Sequence, residues 1–379
     1  MAQPLCTYFG SCGGCSSQHI DYTIQLENKK KALVQNIKFE DVKVFSDKEY
    51  YYRNRMDMIF HPQGIGFRKK GQWQNIIDVE KCVISNEKLN NLIKEVRNFF
   101  KGVDSFDLKR HTGTYHYVVI RTPSNDSSLS FVLNEDSNNL STAVEKVKEF
   151  SEKTTANNVI ITYTSKDSDM SISDEFFAVK GKDMIREKYL GKEFLFPVQG
   201  FFQNNSTMAE KMHEYCNGLL KKYETKNASL LDLYAGVGTF GINNSALFKQ
   251  VMILENDKLS IQAAEENMKN NNITNIKTTL LDAKHLGRLE LQKPLFIIMD
   301  PPRSGMHPKT IEQLNILKPE VMIYISCNVE QLGKDLPKFK DYEIRSAALF
   351  DLFPQTAHCE AIVELCKKKF ISPEKTERS

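Results

Sequence analysis

Two short apolar runs, each followed at once by reactive residues, constrain the fold of this chain more than any other feature. Residues 295–299 precede a D-P-P-R sequence that starts at Asp300, and residues 321–325 precede an S-C-N sequence around Cys327. Short apolar runs that end at turn residues are typical of buried parallel strands. Because ligands bind outside the carboxyl ends of such strands, we expect Asp300 and Cys327 at the rim of one crevice.

A glycine-rich loop earlier in the chain indicates a nucleoside cofactor. Residues 229–233 read as a buried strand that leads into G-x-G-x-x-G at residues 236–241, and Glu255 ends the next strand. Glycines at these positions allow close approach of the backbone, and the acid can hold ribose hydroxyls. The pattern does not distinguish NAD from S-adenosylmethionine. Asp282, at the end of the following strand, fits an adenine contact and a helix N-cap equally well.

Length and composition limit the classes that remain. A chain of 379 residues is too long for one ordinary core, so two or three domains are expected. No apolar run approaches the roughly 18 residues that span a bilayer, and the N-terminus lacks the features of a secretory signal, which predicts the cytoplasm. A net charge of +3 permits a nucleic-acid partner without arguing for one.

The cysteines suggest a sulfur-ligated site. Cys6, Cys12 and Cys15 lie close together in C-x5-C-G-G-C, and Cys82 stands alone later. In a long intracellular chain such thiols indicate metal or catalysis before disulfides. Four thiolates suit zinc or an iron–sulfur cluster, and the spacing differs from paired C-x2-C ribbons, which favours iron–sulfur. Unliganded cysteines are the alternative, more plausible for Cys82.

Residues 50–73 interleave aromatic and basic side chains, among them Arg53, Arg55, Arg68 and Trp73. Arginine meets phosphates and aromatic rings stack on unpaired bases, so the stretch suits RNA, although a hairpin with one charged face explains it equally well. The helix predicted over 22–37 carries Lys29–Lys31, which we expect mostly in solvent. Residues 207–210 predict a capping box at the start of a later helix.

These motifs together resemble the RNA 5-methyluridine methyltransferases. The resemblance runs from Cys6 to Leu365, and its motifs in chain order are the cysteine cluster, Y-R-N at 52–54, F-F-Q-N-N at 201–205, the glycine loop, D-P-P-R, S-C-N and D-L-F-P-Q-T-A-H-C-E at 351–360. The chain is most similar to the bacterial 23S rRNA branch, whose members carry a [4Fe–4S] cluster. Some archaeal enzymes that act on the T-loop of tRNA resemble this cysteine-bearing branch.

The resemblance implies an α/β fold. It predicts a C-terminal Rossmann-like class I methyltransferase domain with a mostly parallel sheet, preceded by a cysteine-cluster segment and an α/β RNA-binding domain. We expect residues 1–90 to form the iron–sulfur and RNA-contacting segment and residues 91–195 to form a central α/β substrate-positioning domain. Residues 196–371 are expected to form the S-adenosylmethionine-dependent domain, and residues 372–379 a disordered tail.

The resemblance also implies an enzyme that methylates carbon-5 of a uridine. The expected substrate is an unpaired loop uridine of 23S rRNA, with the T-loop uridine of tRNA as the alternative; neither a membrane nor an obligate protein partner is expected. The implied site residues are Cys327 as nucleophile, Glu360 as base, Gln203, Tyr234, Glu255 and Asp300 for the cofactor, with Gln203 and Asp300 also reaching the base, and Cys6, Cys12, Cys15 and Cys82 for the cluster.

Several alternatives remain open at this stage. His358 could replace Glu360 as the base. Cys327 needs a pKa below the free value of about 8.5, or a substrate that helps to deprotonate it. An amine N-methyltransferase would share the D-P-P motif without needing the thiol, a non-catalytic RNA-binding factor would need neither, and an NAD-dependent oxidoreductase would share only the glycine loop.

Overall fold

Two β-sheets organise the computed structural model, which describes residues 2–368. The strands in chain order are β1 (Val42–Phe45), β2 (Arg55–His61), β3 (Gly64–Lys69), β4 (Gln72–Asp78), β5 (Tyr115–Arg121), β6 (Ser128–Asn134), β7 (Asn158–Thr164), β8 (Phe176–Lys180), β9 (Met184–Tyr189), β10 (Lys192–Pro197), β11 (Ser229–Leu233), β12 (Gln250–Glu255), β13 (Ile276–Leu280), β14 (Leu295–Met299), β15 (Val321–Ser326), β16 (Tyr342–Phe350) and β17 (Glu360–Lys367). The α-helices are α1 (Tyr22–Ile37), α2 (Glu87–Phe99), α3 (Leu140–Lys153), α4 (Ser206–Leu220), α5 (Thr239–Asn244), α6 (Lys258–Asn270), α7 (Pro308–Leu317) and α8 (Val329–Asp335).

The sheet that contains both apolar runs, called here the C-terminal sheet, has the strand order β1-β16-β17-β15-β14-β11-β12-β13. Strands β11 to β15 are mutually parallel, whereas β17 runs antiparallel to both of its neighbours. From β11 the chain continues towards β13 on one side and, after β13, towards β15 on the other. Such a switch point opens a crevice beyond the carboxyl ends of the strands. The predicted mostly parallel α/β sheet is confirmed.

Helices cover both faces of this sheet. One apolar core includes residues of α4, α5 and α6, and the other includes residues of α1, α7 and α8. Because both faces are covered, β14 and β15 are buried along their whole length, which explains their continuous apolar sequences. Among residues 2–368, no helix combines the length and apolar character needed to cross a bilayer.

A second sheet, called here the N-terminal sheet, has the order β4-β3-β2-β5-β6-β7-β8. Its pairs are antiparallel except for β6 and β7, which are parallel and are connected through α3. Helices α2 and α3 pack on one face around an aromatic core that includes Phe60, Phe100, Phe131 and Phe150. Strands β9 and β10 form a separate hairpin.

The predicted domain boundaries do not follow the sheets. The boundary between residues 90 and 91 falls inside α2, and the N-terminal sheet takes strands from both sides of it. Helix α1 and strand β1, predicted with the first segment, belong to the C-terminal sheet layer, and the boundary at 195/196 falls inside β10. Strand pairing joins segments that are distant in the chain, which local patterns do not encode. The predicted tail at 372–379 lies outside the described residues.

The capping box predicted at residues 207–210 is wrong. Helix α4 begins at Ser206, and the Asn205 side chain caps it by accepting a hydrogen bond from the Met208 N–H at 3.3 Å. The extended backbone of Asn205 suits an N-cap. Glu210 instead accepts a hydrogen bond from the Leu190 N–H at 2.8 Å. This cap fixes the end of the segment 200–205, which borders the candidate site.

Candidate active site

A cavity of about 610 Å³ lies where the N-terminal sheet meets the carboxyl ends of the C-terminal strands. We call it the main cavity. Arg53, Arg55 and Asp57 line it from the N-terminal side, and Cys327 and Glu360 line it from the C-terminal side. The predicted nucleophile and base therefore share one cavity with basic residues of the predicted RNA-contacting stretch.

Strand register brings Cys327 and Glu360 together. In the antiparallel pair β15–β17, Ser326 lies opposite Ala361, so the next position outward sets Cys327 opposite Glu360. Cys327 is half-buried, whereas only 4% of Glu360 is exposed. A thiol and a carboxyl from chain positions 33 residues apart thus meet at the edge of the sheet.

Burial and nearby carboxylates raise the pKa of both groups. The pKa of the Cys327 thiol rises to about 11, chiefly through burial, then through the charges of Glu360 and Asp300, while Arg303 opposes the rise. The pKa of Glu360 is raised well above its usual value by burial and by Asp300, again opposed by Arg303. The first option from the sequence, a Cys327 pKa below the free value, is therefore wrong, and the second option, a substrate that helps to deprotonate the thiol, stays a prediction.

Arg303 is a site residue that the sequence analysis did not assign. Its backbone oxygen accepts a hydrogen bond from Asn328 Nδ2 at 3.0 Å, which ties the D-P-P-R turn to the S-C-N turn. Its Nη2 donates to His358 Nδ1 at 3.2 Å, so this imidazole nitrogen is an acceptor. The pKa of His358 is lowered by burial and then by Arg303, Lys29 and Arg53. Arg303 follows Asp300 by three positions in the D-P-P-R sequence, which was the signal available for finding it.

A smaller cavity of about 60 Å³ lies beside the glycine loop. Of the predicted cofactor residues, Gln203, Tyr234 and Asp300 line it. Burial raises the pKa of Asp300 to about 7. Phe201 and Gln203 line both this cavity and the main cavity. The segment 200–205 therefore separates the two cavities and touches each.

Glu255 holds the backbone of the glycine loop. The Glu255 carboxylate accepts hydrogen bonds from the N–H groups of Gly236 at 2.9 Å and Asn256 at 2.7 Å, and Glu255 does not line the smaller cavity. Gly238 has φ +82°, and a Cβ there would lie 2.7 Å from the Ile253 side chain, so the position requires glycine. A Cβ at Gly236 would meet nothing within 4 Å, which leaves this backbone open to close approach.

Two further carboxylates, those of Asp282 and Asp232, accept hydrogen bonds from backbone N–H groups. Asp282 caps the short helical turn 283–288 by accepting a hydrogen bond from the Lys284 N–H at 3.0 Å, which confirms the N-cap interpretation. Asp232, buried within β11, accepts a hydrogen bond from the Gly241 N–H at 2.6 Å and fixes the first turn of α5. Burial raises the pKa of Asp232 to about 7.

The four N-terminal cysteines also line the main cavity. All four are half-buried. Charge on Cys82 raises the pKa of Cys6, Cys12 and Cys15, after burial as the largest cause, and the pKa of Cys15 reaches about 11. Such mutual influence requires that the thiols lie near one another. Within residues 2–368, however, no group of three or more His, Cys, Asp or Glu side chains lies close enough to hold a metal ion.

The site can perform covalent chemistry beside a bound nucleoside. A thiol and a carboxyl line one cavity at the strand ends, and a glycine loop lies at the switch point of the same parallel sheet. This combination of fold and site defines a Rossmann-like methyltransferase. The sequence profile described as tRNA (Uracil-5-)-methyltransferase matches residues 21–368. The chain belongs to the tRNA (uracil-5-)-methyltransferase family and is an enzyme of the RNA uracil-C5 methyltransferase class.

Individual relatives agree with this assignment. The chain is 31% identical over 367 residues to the tRNA (uracil(54)-C(5))-methyltransferase of Pyrococcus abyssi, a match that covers 96% of this chain and 85% of the relative. It is 30% identical over 376 residues to an uncharacterised RNA methyltransferase of Caldanaerobacter subterraneus subsp. tengcongensis, covering 94% and 83%. The crystal structure of the Pyrococcus abyssi tRNA (uracil-54, C5)-methyltransferase in complex with S-adenosyl-L-homocysteine matches with a TM-score of 0.78 at 29% identity, covering 94% of this chain and 86% of that one.

Proposed function

We propose that this enzyme methylates carbon-5 of a uridine in tRNA, with S-adenosylmethionine as methyl donor. The observation that carries the proposal is the register that sets Cys327 opposite Glu360 at the wall of the main cavity. The substrate expected first was 23S rRNA, with the T-loop uridine of tRNA as the alternative. Relatives from Pyrococcus abyssi and Pyrococcus horikoshii are named for uracil 54 of tRNA, which favours the alternative.

The chemistry assigns one step to each side chain. Carbon-5 of uracil is a weak nucleophile, and addition of the Cys327 thiolate to carbon-6 makes it an enolate carbon. That carbon would attack the methyl group of S-adenosylmethionine, with S-adenosylhomocysteine as the leaving group. Glu360 then takes the carbon-5 proton, after which the thiolate leaves and the double bond returns. Arg303 favours the ionised forms of both groups because its charge lowers both pKa values.

The smaller cavity fits the adenosyl cofactor, because it joins an open glycine backbone to polar side chains. Gln203, Tyr234 and Asp300 would contact the cofactor there, and Glu255 would hold the loop through Gly236. S-Adenosylmethionine supplies an electrophilic methyl group when bound. Gln203 and Phe201 face both cavities, which suits residues that orient donor and base towards each other.

The target base has to leave any stack before Cys327 can reach carbon-6. Extrusion costs a few kcal/mol and costs least in an unpaired loop. The main cavity of about 610 Å³ has room for a nucleotide, and Arg53 supplies a cation for its phosphate. An unpaired loop uridine therefore remains the proposed target.

We propose further that Cys6, Cys12, Cys15 and Cys82 bind a [4Fe–4S] cluster. Support comes from the four thiols that line one cavity, where the charge of Cys82 raises the pKa of the other three and a bound cation would relieve such repulsion. Binding would have to draw the thiols closer together than they lie among the described residues. The Gly14 N–H also donates to Cys12 Sγ at 3.4 Å, as amides commonly do to cluster sulfurs. Protein purified without oxygen should be brown and contain four irons and four sulfides per chain, and C15S should lose both. Colourless protein with stoichiometric zinc would refute the cluster.

The decisive experiment measures methyl transfer from labelled S-adenosylmethionine to unmodified tRNA and, separately, to unmodified 23S rRNA. Nucleosides are identified by mass spectrometry. We expect 5-methyluridine in tRNA, and we expect C327A to lose at least about a thousandfold in rate because nucleophilic catalysis is removed. The matched control is C366A: Cys366 lies opposite Val321, at the other end of the same strand pair, and its loss should leave turnover nearly unchanged.

Three other outcomes would change the assignment. Product in 23S rRNA alone would restore the first substrate and keep the chemistry. A methylated exocyclic amine, or a C327A enzyme that retains substantial activity, would favour the N-methyltransferase alternative. RNA binding without methyl transfer to either RNA would favour the non-catalytic factor.

A further inference from the structure

Trp73 is an exposed aromatic residue that the proposed chemistry does not use. It is the single tryptophan of the sequence, it lies near the start of edge strand β4, and 58% of its surface is exposed. Singly exposed apolar side chains are common and need no explanation by themselves. The surroundings of Trp73 distinguish it from such cases.

The indole is supported by a fixed guanidinium. The Arg68 guanidinium carbon lies 5.6 Å from the centre of the Trp73 ring, and Arg68 Nη1 donates to the Trp73 backbone oxygen at 2.7 Å. Arg68 Nη2 donates to Asp169 Oδ2 at 2.6 Å and to the Tyr117 hydroxyl at 3.2 Å. Because Arg68 is held at three points, little ordering is required when a planar ligand binds against the supported ring.

The same segment is joined to the rim of the main cavity. The Gly13 N–H donates to the Arg68 oxygen at 3.0 Å, and the Lys70 N–H donates to the Ser11 oxygen at 2.8 Å. Cys12 and Phe67, adjacent in the chain to Gly13 and Arg68, line the cavity that contains Cys327. Only a few residues of backbone separate Trp73 from the cavity-lining Phe67. A strand of RNA that leaves the cavity on this side would therefore come close to Trp73.

The neighbouring charges favour a nucleic acid. Lys69 and Lys70 follow Arg68 in the chain, and Lys70 is exposed. Bases stack on aromatic rings whatever their identity, and lysines meet the phosphates between them. An apolar protein partner would need a larger buried patch than one ring. The occupant that fits is an unpaired nucleotide.

We propose that Trp73 is a stacking platform for an unpaired nucleotide that flanks the target uridine in the RNA substrate. The proposal rests on the proposed function, because it requires an RNA substrate in the main cavity. Arg68 positions the ring, and Lys69 and Lys70 meet the phosphate of the stacked nucleotide. Trp73 acts in substrate binding and has no part in the covalent chemistry.

The sequence offers a direct readout, because emission from its single tryptophan reports on this position alone. Titration of the full-length protein with an unmodified tRNA transcript should quench that emission in a saturable way. W73A should raise KM for the transcript about tenfold with kcat changed less than twofold, since stacking is worth about 1–3 kcal/mol per base. W73F should restore KM to within about threefold of the wild-type value.

The matched control is F177A, which removes another partly exposed aromatic residue from β8, at the opposite edge of the same sheet. Its KM should equal that of the wild type. If the wild type methylates the transcript while W73A keeps its KM and the emission does not respond, the platform is wrong and the proposed function stands. If the transcript quenches emission and W73A weakens its binding, but the wild type transfers no methyl group, the platform stands and the proposed function fails.

Discussion

The charge of Glu360 opposes ionisation of Cys327, and Arg303 favours ionisation of both groups. With the Cys327 pKa raised to about 11, the thiol form predominates at neutral pH, and its reactivity should rise about tenfold per pH unit until the pKa is reached. The E360Q variant removes a neighbouring negative charge and should lower this midpoint. The R303M variant removes a positive charge and should raise it.

The measurement is alkylation of Cys327 by iodoacetamide between pH 7 and pH 11, quantified on the Cys327 peptide by mass spectrometry. The E364Q variant is the control, since Glu364 lies on the same strand but its charge acts on Cys366. E364Q should leave the Cys327 midpoint unchanged. An E360Q midpoint equal to the wild-type value, or a wild-type midpoint below pH 8, would contradict this account.

Residues at the ends of strands could be predicted from sequence, because an apolar run stops where its polar successor begins. Asp300 and Cys327 were located in this way. Glu360 was assigned only through resemblance, since its place opposite Cys327 depends on β17 running antiparallel between β15 and β16. Lys29 shows the same limit. It was expected in solvent with its neighbours, yet it is 5% exposed because its partner Asp351 lies 322 positions later.

At the scale of elements, α1 holds the segment 351–356 that leads to Glu360. Lys29 Nζ donates to Asp351 Oδ1 at 2.6 Å and to the Phe353 oxygen at 3.1 Å, and the Tyr22 hydroxyl donates to Asp351 Oδ2 at 2.9 Å. Gln25 adds a bond to Gln355 at 3.0 Å. Local periodicity predicted the bounds of α1 correctly, but not which of its polar residues would be buried, since that depends on this distant segment.

The K29M variant tests how much this contact stabilises the protein. Loss of the cation leaves the fully buried Asp351 carboxylate unpaired, which should lower the free energy of unfolding by about 3–5 kcal/mol. Adding D351N should recover part of the loss, because the uncompensated charge is then absent. The measurement is urea unfolding followed by circular dichroism. K31M, at an exposed position of the same helix, should change the value by less than about 0.5 kcal/mol, and an equally small effect of K29M would contradict the prediction.

At the scale of the whole molecule, the chain passes from one sheet to the other and back. It begins against the C-terminal sheet with α1 and β1, then builds the N-terminal sheet, and returns at β11. The main cavity lies between these parts of the chain, and residues of both line it. The positions of Cys327 and of the four N-terminal cysteines around this cavity therefore depend on both sheets. Patterns along the chain predicted most strands, including the bounds of β5 and β11, but they did not predict this crossing.

Because α1 and β1 pack on the C-terminal sheet, we expect the first 45 residues to be required for that sheet to fold. Their deletion removes Leu33, Ile37 and Val42 from the core, each worth about 1.5–3 kcal/mol, and removes the cation of Asp351. The total is comparable to the 5–15 kcal/mol that stabilises a typical domain, so the shortened protein should lose its cooperative thermal transition. Deletion of residues 1–15 removes three cysteines but keeps α1 and β1, and should retain that transition. Calorimetry of both proteins checks the prediction, and cooperative melting of the 45-residue deletion near the wild-type temperature would show that the edge formed by α1 and β1 is dispensable.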